Sequence, residues 1–178
     1  GADPAQHFDI SNSELKKRQY HYGLGREAFP ALLDPQFIDV DSADRHWSDD
    51  ARFLIAFADN EVKAYSVKDL TRHEIVNDTI GGHPIMAAYC ILADLGAVYD
   101  RDTESLWWPL VDRAVSGPLK GVGLRKFDEA QWEDTTWGEI KKRFPQAQVL
   151  KSGQDYPRPT SWPQLEDVDG LLRDFRQR

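Results

Sequence analysis

The sequence predicts an α+β domain, built mostly from antiparallel β-strands with short peripheral helices. Apolar runs of strand length, bounded by turn residues, recur through the middle of the chain. A clear helical signal appears only over residues 136–144, where a capping-box spacing begins it and Pro145 stops it. Prolines recur over residues 151–163, which excludes a helix or an interior strand there and predicts an extended arm.

The 178 residues suit a single domain with a sizeable core. We divide it into an N-terminal wrap over residues 1–50, a sheet core over 53–127, and a helix with a C-terminal arm over 128–178. In the wrap, Ser11 and Glu14 have the capping-box spacing, which predicts a short helix over residues 12–20.

The sheet core begins with a predicted hairpin. Two strand-like runs, over residues 53–58 and 61–67, flank Asp59-Asn60, and this spacing predicts a two-residue turn. The first run is apolar on both faces, whereas the second alternates and should have one wetter face. We expect a strand through His73 to Asn77 next, and Gly81-Gly82 then turns the chain into the most apolar strand.

Composition excludes two classes of function. The net charge of −8 and the isoelectric point near 5.1 argue against nucleic-acid binding, because phosphates need a basic surface. No apolar run approaches the ~20 residues that span a bilayer, so we expect no transmembrane segment. One cysteine cannot form an internal disulfide, and cysteine usage therefore does not indicate the compartment. The start, Gly1 to Pro4, fits either a tag remnant or a mature end after signal cleavage.

Residues 72–108 interleave strand signals with reactive side chains. A tight turn centred between Gly81 and Gly82 would set His73 opposite Cys90 on an antiparallel partner. Side chains that oppose each other directly have Cβ atoms ~5 Å apart, which is close enough for contact or for a shared metal ion. The two residues therefore form the candidate site.

Three roles fit His73 and Cys90. Imidazole and thiolate together suit copper or zinc, although a closed structural zinc site needs four protein ligands. Alternatively, Cys90 is a nucleophile that His73 activates, although it lies in an apolar strand rather than at a helix N-terminus, where thiol pKa values fall. The third role is structural, with a small buried thiol and a hydrogen-bonded histidine. Whether the protein is an enzyme stays open.

A second polar cluster follows over residues 100–105. Arg101 offers a planar fork for a carboxylate, which belongs either to a ligand or to this chain's own Asp78. A network of arginine and acids that pins a turn is the alternative. The candidate ligand-binding residues are Arg101, Asn77, Asp78, Ser105 and Trp107.

We therefore expect a domain that binds a small ligand or a metal ion, with its candidate site at His73, Cys90 and Arg101. An enzyme with a Cys90 nucleophile and a purely structural or interaction domain are the alternatives. The sequence predicts neither the ligand nor the oligomeric state.

Three motifs resemble an uncharacterised bacterial family known only as a domain of unknown function. They are H-E-I-V-N-D-T-I-G-G over residues 73–82, Y-C over 89–90 and Y-D-R-x-T-x-S-L-W over 99–107. Family members usually read Y-C-P-L-C and then continue with further strands, whereas Cys90 is followed here by Ile91-Leu92-Ala93. The chain thus resembles a shortened member without the second cysteine. The resemblance implies export to the periplasm or the cell exterior, and it brings no known reaction.

Overall fold

The computed structural model describes residues 10–19, 29–91, 93–100, 107–108, 113–114, 120–123 and 131–154. Its strands and helices, in chain order, are β1 (Leu32–Leu33), β2 (Phe37–Ile38), α1 (Val40–Asp44), β3 (Arg52–Ala58), β4 (Glu61–Ser66), α2 (Val67–His73), β5 (Ile75–Ile80), β6 (His83–Cys90), β7 (Leu95–Asp100), β8 (Trp107–Trp108), β9 (Arg113–Ala114), β10 (Trp132–Thr136), α3 (Trp137–Arg143) and β11 (Gln148–Leu150). This β-rich composition confirms the predicted α+β class.

The chain divides into two compact units. One unit consists of Phe29–Arg101 and Lys126–Pro157 and contains both large sheets. The other consists of Gly1–Ala28, Asp102–Arg125 and Arg158–Arg178. Its described secondary structure includes a 3-10 helix and the two-stranded sheet β8–β9. The single domain expected from chain length stays a prediction.

The two large sheets are mixed. Their strand orders are β1-β5-β6-β7 and β10-β3-β4-β11-β2. The β1–β5 and β4–β11 pairs are parallel, and the other pairs described in these sheets are antiparallel. Antiparallel pairing therefore dominates, as predicted, and strands from outside residues 53–127 complete both sheets.

The β3–β4 hairpin confirms the prediction made from Asp59-Asn60. Ala58 pairs with Glu61 across a two-residue turn, in which Asp59 has a φ of 53°. Aspartate tolerates this left-handed conformation, which explains why the turn forms at this dipeptide. The face of β4 that carries Glu61 and Lys63 was predicted to be wetter, but it lies between the two sheets, where Lys63 is buried.

The five-stranded sheet is the middle of three layers. One face packs against the four-stranded sheet, where Leu54 and Tyr65 join Val76 and Ile85 in a single core cluster. Its other face packs against the helices α1 and α3. This second cluster includes Val40, Phe53, Ile55, Trp137, Ile140 and Val149. The apolar character of β3 on both faces follows from this central position.

The two predicted helices have different outcomes. The predicted helix α3 is confirmed, but its Thr136 makes no side-chain cap. The N–H groups of Trp137 and Gly138 donate instead to the backbone carbonyls of Ala51 and Asp49, in the segment before β3. Over residues 12–19 only a 3-10 turn at Lys17–Gln19 forms. Ser13 Oγ there accepts from the N–H of Leu15, only two residues on, which is a local turn rather than a helix cap.

Candidate functional site

The β5–β6 hairpin tests the predicted contact between His73 and Cys90. Its strands pair antiparallel about Gly81-Gly82 in the predicted register. However, β5 begins only at Ile75, and His73 is the last residue of α2. The placement of His73 in the strand, opposite Cys90, is therefore wrong. Cys90 pairs instead with Leu95 of β7.

The helix α2 forms between β4 and β5, and Ser66 caps its N-terminus. Ser66 Oγ accepts from the N–H of Asp69 at 3.0 Å, and this cap satisfies a free donor of the first turn. His73 lies on the buried face of α2 together with Leu70, and it is 4% exposed. Its Nδ1 lies 2.8 Å from the carbonyl oxygen of Pro30. Since a carbonyl only accepts, Nδ1 carries the proton and donates it.

Glu74 forms the corner between α2 and β5. Its N–H donates to the Leu70 carbonyl at 2.6 Å, and its own carbonyl accepts from the N–H of Tyr89 at 2.9 Å. Its φ is 58° and its ψ is −33°. Burial raises the pKa of its half-buried carboxyl. Sequence reasoning missed Glu74, because glycine or asparagine is the usual residue at such a corner and nothing in the sequence marks a glutamate there.

Strand alternation separates the two polar neighbours Asn77 and Asp78. Asp78 points between the sheets, towards β4. Asn77 lies on the opposite side, which we call the outer face of the four-stranded sheet, directly across from Met86. Cys90 shares the outer face with Met86 and is half-buried. Asn77 and Asp78, both predicted to bind a ligand, therefore cannot contact the same one.

Asp78 belongs to a polar network between the sheets. Lys63 Nζ lies 3.0 Å from Asp78 Oδ1 and donates to the Thr79 carbonyl at 2.6 Å. The Tyr65 hydroxyl donates to Asp78 Oδ2 at 2.8 Å. Burial, reinforced by the charge of Asp78, raises the pKa of Tyr65 well above its ordinary value and keeps it a donor. Lysine and tyrosine together thus satisfy both carboxylate oxygens.

Glu61 extends this network to the β5–β6 turn. Its Oε2 accepts from the N–H of Gly81 at 2.8 Å, and its Oε1 lies 3.6 Å from Lys63 Nζ. We call Glu61, Lys63, Tyr65 and Asp78 the sheet clamp. A Cβ on Gly81, whose φ is 54°, would lie only 2.9 Å from the Cβ of Ala58. Asp78 and Gly81 of the motif are therefore explained by the way the two sheets are joined.

A shallow groove of about 310 Å³ opens beside the same turn. It is lined by Ala58, Asp59, Asn60, Glu61, Val62, Gly81, Gln146 and Gln148. Glu61 is already engaged by the sheet clamp. The groove lies at the other end of the hairpin from Glu74 and Cys90, about 20 Å away along a six-residue strand. It is therefore separate from the site that the sequence predicts.

A second group of polar side chains, centred on Asp69, fixes the start of α2 by hydrogen bonds. The carboxylate of Asp69, which is 7% exposed, accepts from the hydroxyls of Ser66 and Ser152 and from the N–H of Gly153. The side chain of Gln154 pairs with both backbone groups of Gln36. The described start of the predicted C-terminal arm is thus fixed to the domain, and the arm beyond residue 154 lies outside the described residues.

The other residues predicted for the site are not found next to His73 or Cys90 in the described part of the chain. Arg101 and Ser105 lie outside the described residues, and Trp107 belongs to β8 in the other unit. In the described part of the chain, no group of three or more histidine, cysteine, aspartate or glutamate side chains could hold a metal ion. A copper or zinc site at His73 and Cys90 has no third such ligand there. No helix in the described ranges is both long and apolar enough to cross a membrane.

These features define a β-rich α+β domain whose central hairpin is built from the H-E-I-V-N-D-T-I-G-G stretch. A family model described as a protein of unknown function, DUF3179, matches residues 26–99 and 94–162, well over half of the chain. The protein belongs to this family. Comparison with curated proteins and with solved structures gives no match.

The two matched segments overlap at residues 94–99, which are Asp94 and most of β7. The second segment therefore begins just after Cys90, close to the point where the motifs suggest that this chain is shorter than its relatives. The shortening itself stays a prediction.

Proposed function

We propose that the protein is a ligand-binding domain without catalytic activity, and that a small organic ligand contacts the outer face near Asn77 and Cys90. The observation that supports this proposal is the division of polar groups between the two faces of the same strands. Asp78, between the sheets, is saturated by Lys63 and Tyr65. On the outer face, Asn77 and Cys90 are half-buried, and their side chains have no hydrogen-bond partner among the described residues.

The outer face has a chemistry that suits such a ligand. Asn77 offers both a donor and an acceptor, and a polar group that is partly removed from water is stabilised when it gains a partner. Met86, directly opposite, and Ala88 offer apolar contact beside it. Methionine adapts its shape to a bound group because its side chain is unbranched and flexible. An apolar body with one hydrogen-bonding group matches this surface.

The placement of His73 favours binding over catalysis. A catalytic Cys90 would need a base within hydrogen-bond reach. His73 instead donates its Nδ1 proton to Pro30, which precedes β1. The strand β5 lies between β1 and Cys90's strand β6, and neighbouring strands are about 4.8 Å apart. The same separation argues against a metal ion shared by His73 and Cys90.

A thermal-shift screen of organic fragments tests the proposal on three proteins: the wild type, Asn77→Ala, and Asn60→Ala, which removes an exposed amide from the β3–β4 turn. Ligands of the outer face should raise the Tm of the wild type and of Asn60→Ala but not of Asn77→Ala, because binding to the native state alone stabilises it. A screen in which every active fragment stabilises all three proteins equally would contradict the proposal.

Alkylation of native Cys90 by iodoacetamide separates binding from catalysis. We expect slow alkylation at neutral pH that His73→Ala leaves unchanged, because His73 does not reach the thiol to activate it. Rapid alkylation at neutral pH that His73→Ala abolishes would instead establish the catalytic thiol. Stabilisation by copper or zinc alone that Cys90→Ser abolishes would favour the metal hypothesis.

Export is a further proposal, which the family resemblance supports. Fractionation of the producing cells should place the protein in the periplasm or the medium. Recovery with the cytoplasmic fraction would overturn it.

A further inference from the structure

Glu74 stands in a backbone conformation that does not suit its side chain. The described residues other than glycine with positive φ are Asp34, Asp59, Asp94 and Glu74. Aspartate visits this region because its short side chain hydrogen-bonds locally, an option that the longer glutamate lacks. The ψ of −33° also places Glu74 outside the ordinary left-handed region. The strain is therefore greater at Glu74 than at a turn aspartate.

The corner itself does not require a glutamate. Its two hydrogen bonds, to Leu70 and from Tyr89, are made by the backbone of Glu74. Glycine offers the same N–H and carbonyl and adopts positive φ without strain. Relative to glycine, glutamate adds two methylene groups and a carboxyl, and the carboxyl is its one polar side-chain group. Residues held in unfavourable conformations cluster at functional sites, and this observation directs attention to that carboxyl.

The carboxyl of Glu74 is also poorly accommodated. It is half-buried, and no described residue donates a hydrogen bond to it or forms an ion pair with it. By contrast, the carboxylates of Glu61 and Asp78 in the sheet clamp are both paired. Desolvation without a partner disfavours the charged form and raises the pKa of Glu74. Backbone strain and desolvation of the carboxyl are thus both unfavourable at Glu74.

Glu74 lies at the Cys90 end of the hairpin. Its carbonyl is bonded to the N–H of Tyr89, and Cys90 is the next residue of β6. Asn77 follows three residues later in β5. The backbone of Glu74 therefore lies beside Cys90, at one end of the sheet that carries the proposed ligand surface.

We propose that the Glu74 carboxyl contacts the ligand, and that the ligand carries a positively charged nitrogen beside its apolar body. This inference rests on the proposed function and names the chemical class of ligand for the same surface. A protonated amine would supply the partner that the carboxylate lacks, in a charge-assisted hydrogen bond. Its apolar portion would lie against Met86 and Ala88 of the outer face.

Three probes with the same six-carbon chain test the charge preference: hexylamine, hexanol and hexanoate. We measure their binding to the whole protein by calorimetry. Hexylamine should bind about tenfold more tightly than hexanol, since a hydrogen bond between charged groups has roughly that effect, and hexanoate should bind most weakly. Glu74→Gln should remove the preference for the amine without changing hexanol binding. Glu139→Gln, which removes an exposed carboxylate from α3, should leave the preference intact.

The outcomes separate this inference from the proposed function. Equal binding of hexylamine and hexanol, with both weakened by Asn77→Ala, would overturn the role of Glu74 and leave the outer face as the ligand surface. An amine preference that depends on Glu74 but not on Asn77 or Cys90 would support the inference and move the site away from the outer face. Failure of all three probes to bind would overturn the inference.

The stability of Glu74→Gly provides an independent readout. Glycine removes both the backbone strain and the desolvated carboxyl, so the Tm should rise by about 2–4 °C while the amine preference disappears. A purely structural glutamate would behave in the opposite way. Glycine also increases the conformational entropy of the unfolded chain, so Glu74→Gln is the second variant to measure. A Tm below that of the wild type for both Glu74→Gly and Glu74→Gln would show that the carboxyl supports the fold, and this would overturn the proposal.

Discussion

The two ends of the β5–β6 hairpin use their polar groups in opposite ways. At the turn, the sheet clamp pairs Lys63 with Asp78 and ties Glu61 to Gly81. At the other end, Glu74 and Cys90 are half-buried and have no hydrogen-bonded side-chain partner among the described residues. Satisfied buried groups fix one arrangement of a core, whereas unsatisfied groups cost stability. The paired groups at the turn end therefore stabilise the fold, whereas the unpaired groups at the other end reduce its stability.

Residues from both ends of the hairpin belong to a single sequence motif. H-E-I-V-N-D-T-I-G-G runs without a break over residues 73–82, yet Asp78 and Gly81 in its second half are accounted for by sheet packing. Its first half contains the strained Glu74, which packing does not account for. A long motif can thus identify a family while only part of it points to function. Mutations at the two ends should separate these contributions.

The largest effect should come from the sheet clamp. Asp78→Ala leaves the buried ammonium of Lys63 without the acid closest to it, and breaking such a pair costs about 3–5 kcal/mol. Chemical denaturation measures the loss. Asn77→Ala is the matched control, because Asn77 is the adjacent residue on the outer face and should cost less than about 1 kcal/mol. Equal losses at both positions would show that the two faces do not differ in the way described.

The turn glycines should show a smaller effect. Gly81→Ala introduces a Cβ that clashes with Ala58 at positive φ, and it should cost about 2–3 kcal/mol. Gly82→Ala has the same kind of backbone strain, with a φ of 76°, but its Cβ would meet nothing within 4 Å. We expect it to cost about 1 kcal/mol. A Gly82 variant as unstable as the Gly81 variant would indicate that strain, and not the contact between the sheets, fixes this turn.

Local patterns were sufficient to predict the hairpins. The spacing around Asp59-Asn60 and around Gly81-Gly82 determines two turns, and the antiparallel register of both hairpins follows from them. Turn chemistry acts over a few residues, so it is readable in one sequence. The α3 helix was predicted for the same reason, since Pro145 limits it locally.

The position of His73 was not predictable in this way. Its helix α2 has seven residues, too few to be stable without tertiary contacts. Asp69 is held by Ser152, far along the chain, and Leu70 is buried in the core between the sheets. Those contacts form only in the folded protein, so the strand-like pattern that continues into Ile75 masked the helix. Because His73 ends a helix instead of beginning a strand, it does not lie opposite Cys90 as predicted.

The sheet clamp illustrates the same limit. Lys63 alternates with apolar residues in β4, a pattern typical of a solvent-exposed face. Its burial depends on Asp78, which lies in a different sheet. Pairing between sheets leaves no periodic signal, and the acid was accordingly assigned to a ligand site. Similarly, Glu74 became a candidate only through its φ value, which no sequence pattern reports.

The smallest expected effect concerns the charge of Glu74. Its pKa is raised in the folded state, so its contribution to stability is present below the unfolded pKa and is lost as the pH rises through the folded pKa. Glutamine resembles the protonated side chain at every pH. Glu74→Gln should therefore match the wild type in acid and have the higher Tm at neutral pH, as parallel thermal denaturation across the pH range would measure.

The difference in Tm between the two proteins isolates this one carboxyl, because the other titrating groups are common to both. A wild type that is the more stable protein at neutral pH would mean that the carboxylate has a stabilising partner in the fold, and the contrast between the two hairpin ends would then fail. If the contrast holds, hexylamine should narrow the difference in Tm at neutral pH, since it binds the charged carboxylate of the wild type more tightly than it binds Glu74→Gln and stabilises the wild type more. Hexanol should leave the difference unchanged, because it brings no charge to the Glu74 end of the sheet.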